Sequence, residues 1–95
     1  MMEQMLTPGS YLHELIAEES RAVAIRHNAA GYIAMWPKAI KKVTERFPGL
    51  SAGERAALRG TVEAQIQTLC TRTNIDIHQF SGARASVAMI LGGAK

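Results

Sequence analysis

Three helix starts can be read from this sequence, and they constrain the fold more than any other feature. Each pairs a side-chain oxygen with a residue suited to a first helical turn: Thr7 with Pro8, Ser51 with Glu54, and Asp76 with Gln79. The oxygen can accept a hydrogen bond from N–H groups that lack a partner where a helix begins. Proline suits the first helical position, and an acid or amide three residues after the cap completes a capping box. The sequence therefore predicts an all-α fold.

Apolar residues recur at helical spacing after these starts. They form four stripes along the chain: Leu12, Leu15, Ile16, Ala22 and Val23; Ile40, Val43 and Phe47; Leu58, Val62, Ile66 and Leu69; and Val87, Ile90 and Leu91. Residues three and four apart share one side of a helix, so each stripe can face a common core. We predict a single domain over residues 1–95, built as an irregular bundle of four to five helices joined by short turns.

Turn residues predict where the helices end. Three such signals follow the apolar stripes: Phe47-Pro48-Gly49, Asn74 and Gly92-Gly93. Ser81-Gly82 predicts an interruption of the last helix. In the middle, helix one either ends at Asn28 or runs through Gly31 as far as Trp36, and Pro37 predicts a break or kink there. Residues 75–78 alternate like a strand, but no other segment resembles a strand that could pair with them, so we favour a helix start.

Basic residues cluster in the middle of the chain. Residues 1–20 carry four glutamates and no Lys or Arg, whereas residues 21–60 carry eight basic and two acidic residues. The candidate nucleic-acid contacts flank one predicted turn: Lys38, Lys41, Lys42, Arg46, Arg55 and Arg59. They would suit a helix-turn-helix-like surface in which Arg55 and Arg59 read the major groove. Solvated basic faces are common on helical proteins, however, so a nucleic-acid-binding regulator is the alternative and not the leading hypothesis.

A second group of residues predicts protein–protein binding. The sequence has fifteen alanines but only two Phe, two Tyr and one Trp, so its core is thin and association would add burial. Met and aromatic residues are enriched at interfaces, and four stand out here: Met5, Tyr32, Met35 and Trp36. Residues 1–6 are predicted to be a flexible or docking arm. The leading hypothesis is a non-enzymatic regulator, adaptor or inhibitor, of the kind phages and mobile elements encode, acting as a homodimer.

No catalytic, cofactor or metal motif is found in the sequence. His13, His27 and His78 lack the spacing of metal ligands, and Cys70 lies beside Leu69 on an apolar helix side, which is typical of a structural thiol. A G-x-S-x-G elbow and a phosphate-binding glycine loop are both absent from the sequence. We therefore predict a protein that is not an enzyme and that has no cofactor.

The sequence also predicts a cytoplasmic location. One cysteine cannot form an intramolecular disulfide, which suits a reducing compartment. The first ten residues contain no Lys or Arg, unlike the start of a signal peptide. No stretch approaches the roughly 20 apolar residues that a membrane span requires.

Overall fold

The computed structural model describes residues 6–26 and 29–92, which form four α-helices. These are α1 (Pro8–Arg26), α2 (Ala29–Arg46), α3 (Ala52–Thr73) and α4 (Ser81–Ile90), with a 3₁₀ helix (Ile77–Phe80) directly before α4. No strand occurs in this part of the chain. The predicted all-α bundle is confirmed.

The first two predicted caps form as expected. At the start of α1, the Thr7 hydroxyl accepts from the Ser10 N–H at 3.1 Å, and the Thr7 N–H donates to the Ser10 hydroxyl at 3.0 Å. At the start of α3, the Ser51 N–H donates to Glu54 at 2.8 Å, and the Glu54 N–H donates to the Ser51 hydroxyl at 3.1 Å. Both helices therefore begin with reciprocal bonds that satisfy otherwise unpaired N–H groups.

The third predicted capping box, Asp76 with Gln79, does not form, because the Asp76 carboxylate bonds to a different residue. The Asp76 carboxylate accepts from the His78 N–H at 3.0 Å, and the Gln79 N–H bonds instead to the Asp76 carbonyl. This cap opens the tighter 3₁₀ helix, in which bonds span three residues rather than four. Regular α-helix begins only at Ser81, so the change of geometry falls at the predicted interruption.

Helix ends match the turn signals, but the break that Pro37 predicts does not occur. Asn74 ends α3 in the left-handed conformation (φ 64°), and Gly92 follows α4 with φ +74°. Gly93 and Asn28 lie outside the described residues. The middle of the chain forms two helices, with α1 ending at Arg26 and α2 beginning at Ala29. The helix α2 continues through Pro37 without a break.

Burial explains why α2 tolerates this proline. An interior proline removes one backbone bond and costs about 3 kcal/mol in a helix. On either side of it, Trp36 is only 1% exposed and Ile40 is fully buried. Burying large apolar side chains stabilises by about 1.5–3 kcal/mol each, so tertiary packing outweighs the local cost.

Contacts between the helices show their relative directions. Ser20 meets Met35 and Tyr11 meets Phe47 (ring centroids 6.1 Å apart), so α1 and α2 are antiparallel. The start of α1 lies beside the start of α3 and its later turns lie beside the later turns of α3, so these helices run in the same direction. The helix α4 runs opposite to both, because Leu91 after its end lies beside Ala52 at the start of α3, while Arg84 near its start is joined to Glu63 by two bonds of 2.8 and 2.9 Å.

One hydrophobic cluster joins all four helices. Trp36 and Phe80 are its largest fully buried side chains, and the predicted stripes supply most of the rest. The molecule is only 19 Å across its thinnest direction, about two helix diameters. Within the described ranges no polar or charged side chain is buried, and no helix has both the length and the apolarity to span a membrane.

Candidate functional site

The predicted interface residues come together, but not all on the surface. Met35 and Trp36 are 2% and 1% exposed and belong to the core, whereas Tyr32 is half-buried. Met5 lies outside the described residues, while Leu6 is half-buried beside the turn after α2. Of the three described side chains, only Tyr32 offers substantial surface to a partner. Their role in an interface stays a prediction.

The predicted nucleic-acid contacts are all exposed but fall into two groups. Three lysines, Lys38, Lys41 and Lys42, form what we call the lysine face of α2. Near it, Arg46 has its guanidinium carbon 5.6 Å from the centre of the Tyr11 ring. The other pair, Arg55 and Arg59, lies on α3 beside the end of α4.

The two basic groups lie on helices that pack mainly on other neighbours. α2 contacts α1 and α4, and α3 contacts α1, α4 and the 3₁₀ helix. A helix-turn-helix instead holds its two consecutive helices together, so that the second can enter the major groove. The lysine face and the arginine pair therefore lie on helices that do not form such a unit, and contact with nucleic acid stays a prediction for each.

A cleft between α1 and α3 brings together basic, hydroxyl and aromatic side chains. It encloses about 350 Å³ and is lined by Ala17, Ser20, Arg21, Tyr32, Leu69, Arg72 and Thr73. Deeper in, a recess of about 70 Å³ shares three of these residues and is otherwise lined by Ile16, Met35, Trp36, Gln65 and Thr68. We call the whole feature the α1–α3 cleft. It contains all three described residues of the predicted interface.

Several residues that line this cleft carry hydrogen-bond donors without a described acceptor. Neither Arg21 nor Arg72 forms an ion pair with any described residue. The acid nearest to Arg72 in sequence, Asp76, is bonded to His78 instead. The Trp36 Nε1–H is buried and has no partner among the described atoms, although buried polar groups are normally satisfied. The cleft therefore presents positive charge, and one of its lining residues, Trp36, carries a buried N–H without a partner.

Two of the hydroxyl groups around the cleft are occupied by the backbone. The Thr68 and Thr73 hydroxyls donate to the carbonyls four residues earlier, at 3.0 and 2.7 Å. Ser20 donates only to the Met35 sulfur at 3.8 Å, which is a weak acceptor. A ligand that supplies strong acceptors, in particular a negatively charged one, would complement this set.

Groups with catalytic potential lie elsewhere. Cys70 is half-buried against the core, and burial, followed by the charge of Asp76, raises the pKa of its thiol, which disfavours the reactive thiolate. His13 is exposed on α1, and His78 bonds to Asp76 at 3.1 Å, while His27 lies outside the described residues. No three His, Cys, Asp or Glu side chains in the described ranges group as metal ligands would.

Comparison with known proteins adds no relative: the sequence and its fold match no family model, no curated protein and no solved structure. The case for a site therefore depends on geometry.

Sequence reasoning missed Arg21 and Arg72, which were not among the candidate site residues. They lie near the ends of two different helices, and only the parallel packing of α1 and α3 brings them to one cleft. The two arginines are far apart in sequence, so no local pattern predicts that they lie together. Each could also be explained singly, because a guanidinium near a helix C-terminus is stabilised by the helix dipole.

Proposed function

We propose that this chain is a small non-enzymatic helical protein that binds another protein through the α1–α3 cleft. The observation that supports this most is the set of unused donors there: two guanidiniums and one buried indole N–H. No described residue forms an ion pair with the exposed guanidiniums, so they are free to bind acceptors that a partner supplies. Tyr and Arg, both present at the cleft, are also enriched among residues that dominate binding energy at interfaces.

The shape of the cleft favours a protein partner over a small molecule. Small-molecule sites typically enclose about 300–1,000 Å³ and bury most of the ligand. Here the deep part is only about 70 Å³, and the remaining 350 Å³ lies along the surface between α1 and α3. Such a shape accepts one side chain from a larger surface that covers the rest.

Photo-crosslinking tests this proposal. A photoreactive amino acid placed at Ala17, an exposed residue of the cleft, should give a protein adduct in the native host. The same group at Ala64, exposed on α3 outside the cleft lining, is the matched control. Adduct formation at residue 17 that is suppressed by excess unlabelled protein and by Tyr32→Ala supports the proposal. Equal adducts at both positions, or none at residue 17, would refute it.

We further propose that the protein forms a homodimer, because the molecule is only 19 Å across its thinnest direction and its core is small. Light scattering coupled to size exclusion should then give twice the mass of 10.3 kDa. A mass of one protomer at all concentrations up to the millimolar range would leave a different protein as the partner.

The lysine face of α2 supports a second candidate function, binding to nucleic acid. Its three lysines are exposed and form no ion pair with a described residue, so they can neutralise phosphates. Titration with duplex DNA at 50 and 200 mM salt tests this. Affinity that falls steeply with salt, and falls again with Lys41→Glu and Lys42→Glu together, supports it. No binding at low salt removes it.

A further inference from the structure

We infer that the α1–α3 cleft binds the C-terminus of a polypeptide whose last side chain is apolar, with Arg21 and Arg72 holding the carboxylate. This rests on the proposed function and names the chemistry of the partner. A carboxylate has two acceptor oxygens in one plane, and the guanidinium fork matches that geometry with two parallel bonds. Both arginines are exposed and line the same cleft, and no described acidic residue pairs with either of them.

The recess favours an apolar side chain next to the carboxylate. Arg72 lines both the outer cleft and the recess. A carboxylate bound to Arg72 would therefore lie next to the recess. The apolar part of the recess is formed by Ile16, Met35 and Leu69. A terminal residue carries its carboxylate and its side chain on the same Cα, which is the spacing this arrangement requires.

Other anions fit less well. A phosphate group carries no apolar side chain on its charged centre, so it would pair with the arginines and leave the recess of about 70 Å³ unfilled. The helix dipole offers a different explanation for the arginines, because α1 and α3 both end near this site and a cation there is stabilising. That explanation needs no ligand, so a binding measurement separates the two.

The single tryptophan gives a direct readout. The protein has one indole N–H, on Trp36, so ¹⁵N-labelled protein yields one indole resonance from the recess. N-acetyl-leucine, which has a free carboxylate and an apolar side chain, should shift this resonance to saturation. N-acetyl-leucine amide has the same side chain without the charge and should not. Inorganic phosphate is the third probe and should also leave the resonance in place.

Substitutions locate the carboxylate. Arg72→Gln should weaken N-acetyl-leucine binding roughly tenfold or more, as expected for loss of a charge-assisted hydrogen bond. Arg21→Gln should do the same, and Arg59→Gln, an exposed arginine of α3 outside the cleft, should bind as the parent does. Because Arg21 and Arg72 are both exposed, each variant should keep the parent circular-dichroism spectrum and melting temperature within a few degrees.

Three results would overturn the inference: equal shifts with the acid and the amide, a shift with phosphate alone, or binding unchanged in both arginine variants. A shift with phosphate alone would point to a phosphate-bearing partner. The crosslink at residue 17 distinguishes failure of this inference from failure of the proposed function. If the adduct persists in Arg72→Gln and N-acetyl-leucine does not bind, the cleft binds protein by other means. If the parent forms no adduct there, the proposed function itself fails.

Discussion

The helices α2 and α3 are similar in length but are held in place by different forces. α2 has 18 residues, and five of them are buried in the core: Met35, Trp36, Ala39, Ile40 and Val43. α3 has 22 residues, of which only Leu58, Val62 and Ile66 are buried. In compensation, α3 has a complete capping box at its start and a left-handed asparagine at its end. Burial therefore holds α2 in place, and local hydrogen bonds define the ends of α3.

This difference determines where surface is left for binding. Most of α3 faces solvent, and four of its threonines bond back to carbonyls of the same helix. Such a helix needs few tertiary contacts to keep its boundaries, so one side of its last turns can line the α1–α3 cleft. The packed side of α2 contributes Trp36, which is buried and lines the recess of that cleft.

The strongest test of the comparison is Trp36→Ala. Removing a fully buried aromatic side chain should lower the free energy of unfolding by about 3–5 kcal/mol, because a cavity remains in the core. Urea denaturation followed by circular dichroism measures this. Met89→Ala is the control, since that side chain is 71% exposed and its loss should change stability by less than about 0.5 kcal/mol. A loss below about 1 kcal/mol for Trp36→Ala would contradict burial as the force that holds α2.

Pro37→Ala should have the next largest effect, in the opposite direction. The alanine restores the N–H that a helix interior uses, so the free energy of unfolding should rise by about 1–3 kcal/mol. Pro48→Ala, in the turn after α2, is the control and should not produce this gain. If Pro37→Ala destabilises the protein, packing of the proline ring matters more than the missing backbone bond.

Ser51→Ala tests the local signals of α3. Removing one side of the capping box should cost about 1 kcal/mol, because the Glu54 N–H loses its acceptor. Faster hydrogen exchange of that amide should accompany the loss. Ser86→Ala, an exposed serine inside α4 without a capping bond, should leave stability nearly unchanged. Equal effects of the two substitutions would mean that the box contributes nothing.

Gly60→Ala should strengthen α3 by roughly 0.5–1 kcal/mol. Glycine weakens a helix interior, and an added Cβ at this position would meet no atom within 4 Å. Gly92→Ala is the opposing control, because its φ of +74° strains any residue with a side chain and stability should fall. A measured loss of stability for Gly60→Ala would contradict this.

The smallest effect concerns Asp76, whose pKa is lowered by the hydrogen bond from the His78 backbone N–H and then by the His78 side chain. The unfolded carboxyl titrates near pH 3.9. A lowered folded pKa means that this stabilisation is complete above that value and is lost as the pH falls through the folded one. Relative to Asp76→Asn, which keeps a cap but does not titrate, the parent's advantage should shrink as the pH falls below about 3.9. A difference that stays constant down to pH 2 would contradict this.

Predictions from the sequence succeeded where the cause is local. The caps at Thr7 and Ser51 and the ends at Asn74 and Gly92 each depend on atoms within a few residues. The apolar stripes also face the core as predicted, because helical periodicity fixes which residues share a side. The same local reasoning failed at Pro37, where burial on both sides of the proline outweighed its backbone preference.

The amino-acid sequence by itself determined that this protein is helical, where α3 begins and ends, and which side of each helix is apolar. Tertiary structure alone decided that α2 continues through Pro37, that Trp36 is buried with an unsatisfied N–H, and that Arg21 and Arg72 line one cleft. Caps and periodicity act over one or two turns, so a single segment contains them. Cleft geometry depends on how separate helices pack, and no single segment encodes that.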